Sequence, residues 1–305
     1  MNGNKILKLI FLILLVCTPL LTVSAGEFSF DYQKIVELDQ PVELDLSLFT
    51  GNITINGTPD DRIIIEAVKT VRASNREEAE EVADHIEIKV VTADDKVEVS
   101  TNYLKMINRN KSFWDKFLGT TDEDAYGQVN YMISVPTRTS LKLRCMESII
   151  QIASVEGNID IENNTGITRA EYILGDITLS QPFGNIDLQW IEGDIRVKSN
   201  SSEIKIGQLE GALDIANLTG KVEIQTELDS PRDYFIETST GSITFIVPVT
   251  SSGELNIQAK AGEIKSDIPV LIKSVSRHQL IGQFGDGGPK VNIISATGDV
   301  DIKQF

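Results

Sequence analysis

Between residues 139 and 220 the chain repeats every nine residues, and this period constrains its fold more than any other feature. Positions 139, 148, 157, 166, 175, 184, 193, 202, 211 and 220 hold seven glycines, with Thr139, Ser148 and Ser202 at the others. The third and fifth residues of each unit make twenty positions; eighteen are Ile, Leu or Val, and the exceptions are Thr168 and Ala170. A mostly charged or polar residue stands between them, so each unit reads as a short strand with one buried face. The small residue marks a corner. Nine residues cannot bury an apolar face alone. Units must therefore stack, and the expected fold is all-β: a parallel β-solenoid or β-helix of nine-residue strand units.

The outward residues bear on how many units make one coil. In order they are Gln151, Asp160, Arg169, Thr178, Asp187, Arg196, Lys205, Asp214 and Glu223. Residues one coil apart lie about 4.8 Å from each other. A coil of three units stacks Asp160, Asp187 and Asp214, which is unfavourable. A coil of two units stacks Arg169, Asp187, Lys205 and Glu223 with alternating sign. Val155, Ile173, Ile191 and Leu209 follow the same double period, which Leu218 breaks. The expectation is a coil of two units, about 18 residues, with two main strands. A three-sided coil is the alternative.

The register slips by three residues between Gly220 and Gly241, and again before Gly253; Gly262 and Gly298 resume it. Such slips read as corner insertions. Upstream, "PVELDLSLFTGNITINGTPDDRIIIEAVKTV" reads as strands of the same style. "NREEAEEVADHIEIKVV" starts as a short helix capped at Ser74 or Asn75, with acidic residues at its positive end. "DDKVEVSTNY" and "QVNYMISVPTRTSLKLR" read as strands again, and residues 104–127 break the pattern.

Positions 1–25 read as a secretory signal peptide: Lys5 and Lys8, an apolar core from Leu9 to Val16, and small residues at Val23-Ser24-Ala25. No second apolar span follows, so no transmembrane segment is expected after cleavage before Gly26. The expected organisation is 1–25 signal peptide, 26–138 a β-rich region with the helical insertion, and 139–305 the solenoid, continuous with 26–138. The mature chain keeps only Cys145, which excludes an intrachain disulfide. Losing Lys5 and Lys8 takes the formal charge from -17 to -19. That argues against nucleic acid and anionic lipid as partners.

The early "GNITINGT", the strand–helix–strand insertion, "YMISVP", the run of G-[DN]-I-x-[ILV] units and the terminal "IGQFGDGGPKVNIISATGDVDI" together resemble the bacterial putative adhesin family. These are extracytoplasmic β-strand-repeat proteins without an assigned activity. The resemblance spans nearly all of the mature chain. It implies a β-solenoid at the cell envelope and brings no catalytic motif.

Motifs for chemistry are sparse. His85 and His278 fall in different predicted elements, and no His/Cys cluster suggests zinc. No G-x-S-x-G elbow or Walker loop occurs. "GQFGDGG" reads as a turn. Calcium-loaded β-rolls also repeat every nine residues, but the G-G-x-G-x-D turn that supplies their ligands is missing. No catalytic, cofactor or metal residues are assigned. Cys145 reads as a structural thiol. The charged column reads as a solubilised sheet face. Phe113, Trp114, Phe117 and Leu118 concentrate apolar surface in the irregular stretch 104–127, either covering an end of the solenoid or contacting a partner. The expected role is a non-enzymatic adhesin or surface interaction module outside the cytoplasm, whose partner is an envelope or surface protein or a glycan. A structural or regulatory envelope scaffold is the second reading, and a glycan-acting β-helix enzyme the third.

Overall fold

The computed structural model describes residues 26–93, 95–103, 127–228 and 232–305. β1 (Gly26–Glu37), β2 (Glu43–Thr58) and β3 (Arg62–Ala73) precede helix α1 (Arg76–Asp84); β4 (Ile86–Thr92), β5 (Lys96–Tyr103) and β6 (Gly127–Pro136) follow it. The repeat region supplies β7 (Ser140–Glu156), β8 (Ile159–Leu174), β9 (Ile177–Ser180), β10 (Phe183–Glu192), β11 (Ile195–Glu210), β12 (Leu213–Thr219) and β13 (Val222–Thr226). After these come β14 (Tyr234–Thr240), β15 (Ile243–Val247), β16 (Gly253–Ala259), β17 (Ile264–Ser266), β18 (Leu271–Ser276), β19 (Gln279–Phe284), β20 (Lys290–Thr297) and β21 (Val300–Gln304).

Two columns of parallel strands form the body. In the first, Leu141 lies opposite Ile159, Ile159 opposite Ile177, Ile177 opposite Ile195, and Ile195 opposite Leu213. In the second, Thr168 lies opposite Ile186, Ile186 opposite Ile204, and Ile204 opposite Val222. β7, β8 and β11 are long because each bends through the corner between the columns. Between β7 and β13 each step within a column carries the chain on by two units of the repeat. The third and fifth positions of each unit point inward, as alternation demands. Ile186, Leu188, Ile195, Val197, Ile204 and Ile206 are all buried.

Thr168, an exception to the apolar pattern, also points inward and is fully buried; its Oγ1 donates to Gln181 Oε1 at 2.6 Å. The Gln181 amide in turn donates to the carbonyls of Gly166 and Asn185. Gln208 repeats the arrangement on Gly193 and Ala212, and accepts from Thr226. Side chains thus satisfy corner carbonyls that the ladders leave over.

The glycines are required by the close approach of successive coils. Gly193 has φ +151°, and a Cβ on it would lie 2.2 Å from the Gly175 carbonyl oxygen. The acidic residue that follows has a structural task as well. Asp176 Oδ1 accepts the N–H of Asp194 at 2.9 Å, and Asp194 Oδ1 accepts the N–H of Ala212 at 3.0 Å. The Gly-Asp corners therefore bind the backbone of the next coil.

The two ends are built differently from the body. At the N-terminal end β2 pairs with β7 on one side and with β5 and β6 on the other, all in parallel. β4 then adds antiparallel to β5, β3 to β6, and β1 to β3. Helix α1 buries Ala79, Val82 and Ala83. Asn75 caps it by accepting from Glu78 N at 2.9 Å, and Lys69 Nζ donates to the Ala83 carbonyl at its other end.

At the C-terminal end space does not follow sequence. β14 pairs with β20, β20 with β16, β16 with β19 and β19 with β18. β15 pairs with β21, and β21 with β17. The last two strands of the chain are thus inserted beneath β16 and β17, and the β18–β19 hairpin lies outermost.

Candidate functional site

Phe113, Trp114, Phe117 and Leu118 lie outside the described residues. The charged column forms on the second strand face: Arg169 lies opposite Asp187, Asp187 opposite Lys205, and Lys205 opposite Glu223. Hydrogen bonds there also run along single strands, from Gln189 Nε2 to Asp187 at 2.8 Å and from Lys221 Nζ to Glu223 at 2.6 Å. Lys221 holds the Glu223 carboxyl below its usual range. Cys145 is buried, and that burial pushes its thiol up to about 11, so little thiolate exists at neutral pH. Among the described residues, no three His, Cys, Asp or Glu side chains gather as metal ligands would.

The unusual geometry sits at the corner that ends the second column. Ser154, Tyr172 and Trp190 recur two units apart, and all three have left-handed backbone, with φ of 60°, 56° and 59°. Each follows a strand segment in which alternation is regular. The left-handed residue turns the chain so that Val155, Ile173 and Ile191 point inward, where all three are buried. In the next coil the bulge is lost: Ile191 lies opposite Gln208 across a register shift, Gln208 takes the inward place, and Leu209 is half-exposed.

Left-handed backbone costs an ordinary side chain about 1–2 kcal/mol. Glycine would avoid that cost, and this chain uses glycine at many of its other corners. Tyr172 and Trp190 nevertheless occupy the position, with 58% and 53% of their surfaces exposed. Their ring planes are parallel to within 3° and their centroids lie 6.3 Å apart. Leu174, 52% exposed, extends the apolar surface. Opposite it in the flanking coils lie Glu156 and Glu192, and Glu192 lies opposite Glu210. Arg138 Nε approaches Glu156 at 3.4 Å. Thr137, Ser154, Glu156, Tyr172, Leu174, Trp190, Glu192 and Leu209 help line an open groove of about 460 Å³.

Hydrophobic periodicity does not find this site, because the rings are outward-facing and lie off both strand faces. The available signal is positional. The seventh place of alternate units reads Ser, Tyr, Trp, which puts two large aromatics at a corner where nothing calls for them.

A family model described as Toastrack DUF4097 matches residues 42–303. Solved structures cover most of the chain at low identity. A putative cell adhesion protein from Clostridium sporogenes is 14% identical, with 91% of this chain and 100% of that one covered and a TM-score of 0.30. A putative adhesin from Bacteroides fragilis is 12% identical, with 93% and 99% covered and a TM-score of 0.33. One from Parabacteroides merdae is 9% identical, with 89% and 95% covered and a TM-score of 0.40. No curated protein matches the chain.

Proposed function

The chain belongs to the Toastrack DUF4097 family, and from that premise we propose that it is a non-enzymatic surface interaction module of the adhesin kind, working outside the cytoplasm. The mature chain in this reading is one β-solenoid with two units, about 18 residues, in each coil. Its export is inferred from the Lys5–Ala25 pattern, and its solvent-facing sheets serve as a rigid platform.

The observation that carries the proposal is the Tyr172–Trp190 pair: two parallel, exposed aromatic rings on costly backbone beside an open groove. Exposed aromatics on a rigid scaffold are the residues that anchor partners. The family resemblance points the same way. A scaffold role is the second reading, supported by the stiffness of stacked coils.

The test is retention of the purified, fluorescently labelled protein on washed bacterial envelopes and on intact bacterial cells. Saturable binding that the unlabelled protein displaces is the expected result. Linear, non-displaceable retention on every surface would leave the platform without a receptor and the proposal without support.

A further inference from the structure

We infer that the Tyr172–Trp190 corner is a glycan-binding site that takes a neutral, unsulfated sugar ring on its aromatic surface. The inference rests on the surface-interaction reading and names its ligand class.

The rings decide the shape of the ligand. An ammonium or aliphatic group held between two rings needs about 3.5–4.0 Å of carbon–carbon separation on each side. The centroid separation of 6.3 Å leaves no room for that. Nor do parallel rings surround a cation on several sides as an aromatic cage does. What remains is the exposed part of Tyr172, Trp190 and Leu174, all of which line the groove. It suits a ligand that is itself flat and apolar on one face. A pyranose ring offers such a face in its axial C–H bonds, whose positive hydrogens meet the negative face of the aromatic ring.

The rim decides the polarity. Glu156 and Glu192 line the groove and accept hydrogen bonds, while Arg138 stands beside Glu156 and donates. Sugar hydroxyls around a ring edge can serve both kinds of group, and those given to a carboxylate are charge-assisted. The same carboxylates, and the formal charge of -17, oppose sulfated or uronic chains and the phosphates of nucleic acid or lipid. A purely apolar ligand would leave the rim carboxylates partly desolvated without partners.

The backbone supports a built site. A left-handed φ at both positions sets the direction in which each Cα–Cβ bond leaves the corner, which reduces the ordering left to binding. The arrangement stops at Trp190, because the following coil lacks the bulge and places Gln208 inward.

Calorimetric titration of the full protein with cellohexaose, chitohexaose and mannohexaose tests this, with choline chloride and heparin as competing chemistries. At least one neutral hexasaccharide should bind. Trp190→Asn and Tyr172→Asn keep a residue type that tolerates left-handed backbone while removing the ring; each should weaken binding about tenfold or more. Trp190→Phe should stay within about threefold of the native protein. Circular dichroism melts guard against misfolding, and ligand quenching of Trp190 fluorescence in a Trp114→Phe chain gives a readout that needs no ring deletion. No response to any neutral sugar, a response to choline or heparin alone, or unchanged binding in both Asn variants would overturn the inference. Envelope retention by the native protein separates the two levels. If retention is saturable but no sugar binds, the ligand class is wrong and the surface reading stands. If retention itself fails, the surface reading fails first.

Discussion

Asp45 shows how single residues hold the coils together and how pH should loosen them. The side chain is almost wholly buried, yet Lys96 donates to one oxygen and Arg144 Nη2 to the other at 2.6 Å. Burial alone would raise the carboxyl, but the hydrogen bonds and charges of Lys96 and Arg144 outweigh it and hold the group below its ordinary value of 3.8. Its strand neighbours on the two sides are Glu98 of β5 and Lys142 of β7, so the cluster joins three strands. A depressed carboxyl contributes stability that is complete above its unfolded pKa and is lost as pH falls through its folded one. Asp45→Asn should therefore cost about 3 kcal/mol at pH 7, the low end for a broken buried pair because both cations reach solvent. Urea midpoints of the native and variant proteins should converge as pH drops below about 3.8. A gap that stays constant down to pH 2.5 would remove Asp45 as the cause. Sequence pattern makes Asp45 outward and ordinary. Its importance comes from Lys96 and Arg144, which lie far away along the chain and become neighbours only through the pairing of β2 with β5 and β7.

At the scale of strands and corners, the period carried most of the information. Glycine spacing marks the corners, alternation gives the inward face, and the signs of Arg169, Asp187, Lys205 and Glu223 order one column as the pairings place them. The helix could be read from its acidic first turn, and Asn75 is the capping residue of the two considered. Hydrophobic pattern does not show the aromatic corner, because left-handed backbone at Tyr172 and Trp190 is a property of the bulge; its trace in the sequence is the succession Ser154, Tyr172, Trp190. The charged column permits a direct test of pairing. Arg169→Glu should cost up to about 1 kcal/mol by placing like charges at adjacent positions. Asp187→Lys in the same chain should recover part of that loss, giving a favourable coupling of about 0.3–0.8 kcal/mol in a double-mutant cycle. Since Gln189 already binds Asp187, the cycle should be repeated with Gln189→Ala, where the coupling should grow. Additive changes in both backgrounds would mean that the column is a register neighbour without energetic consequence.

For the whole molecule, the order of the last coils is what periodicity cannot resolve. A strand in phase with the repeat fits beside any other strand in phase. Gly262 and Gly298, four units apart, therefore look like corners stacked in chain order, although the spatial column runs Gly220, Gly241, Gly298, Gly262. Long-range pairing decides the matter: Tyr234 lies opposite Val291, and Val291 opposite Leu255. A chain ending at Gly288 distinguishes this order from a simple succession of coils. In a simple succession the cut removes only the outermost coil, and residues 253–284 keep their partners on the inner side. In this fold it removes β20 and β21 from beneath β16 and β17, exposing the places where Val291, Ile293, Val300 and Ile302 are buried. β16 and β19 would retain each other and β18, but a small sheet without its parallel support lacks a core of its own. Amide hydrogen exchange of the truncated chain should accordingly show residues 253–284 exchanging at nearly unprotected rates. β14 and β15 should be weakened at their new open edge, while the coils from β7 to β11 should hold their protection because repeat stability depends mainly on nearest neighbours. Native-level protection across 253–284 would instead place those strands directly on β14 and β15 and overturn the inserted order.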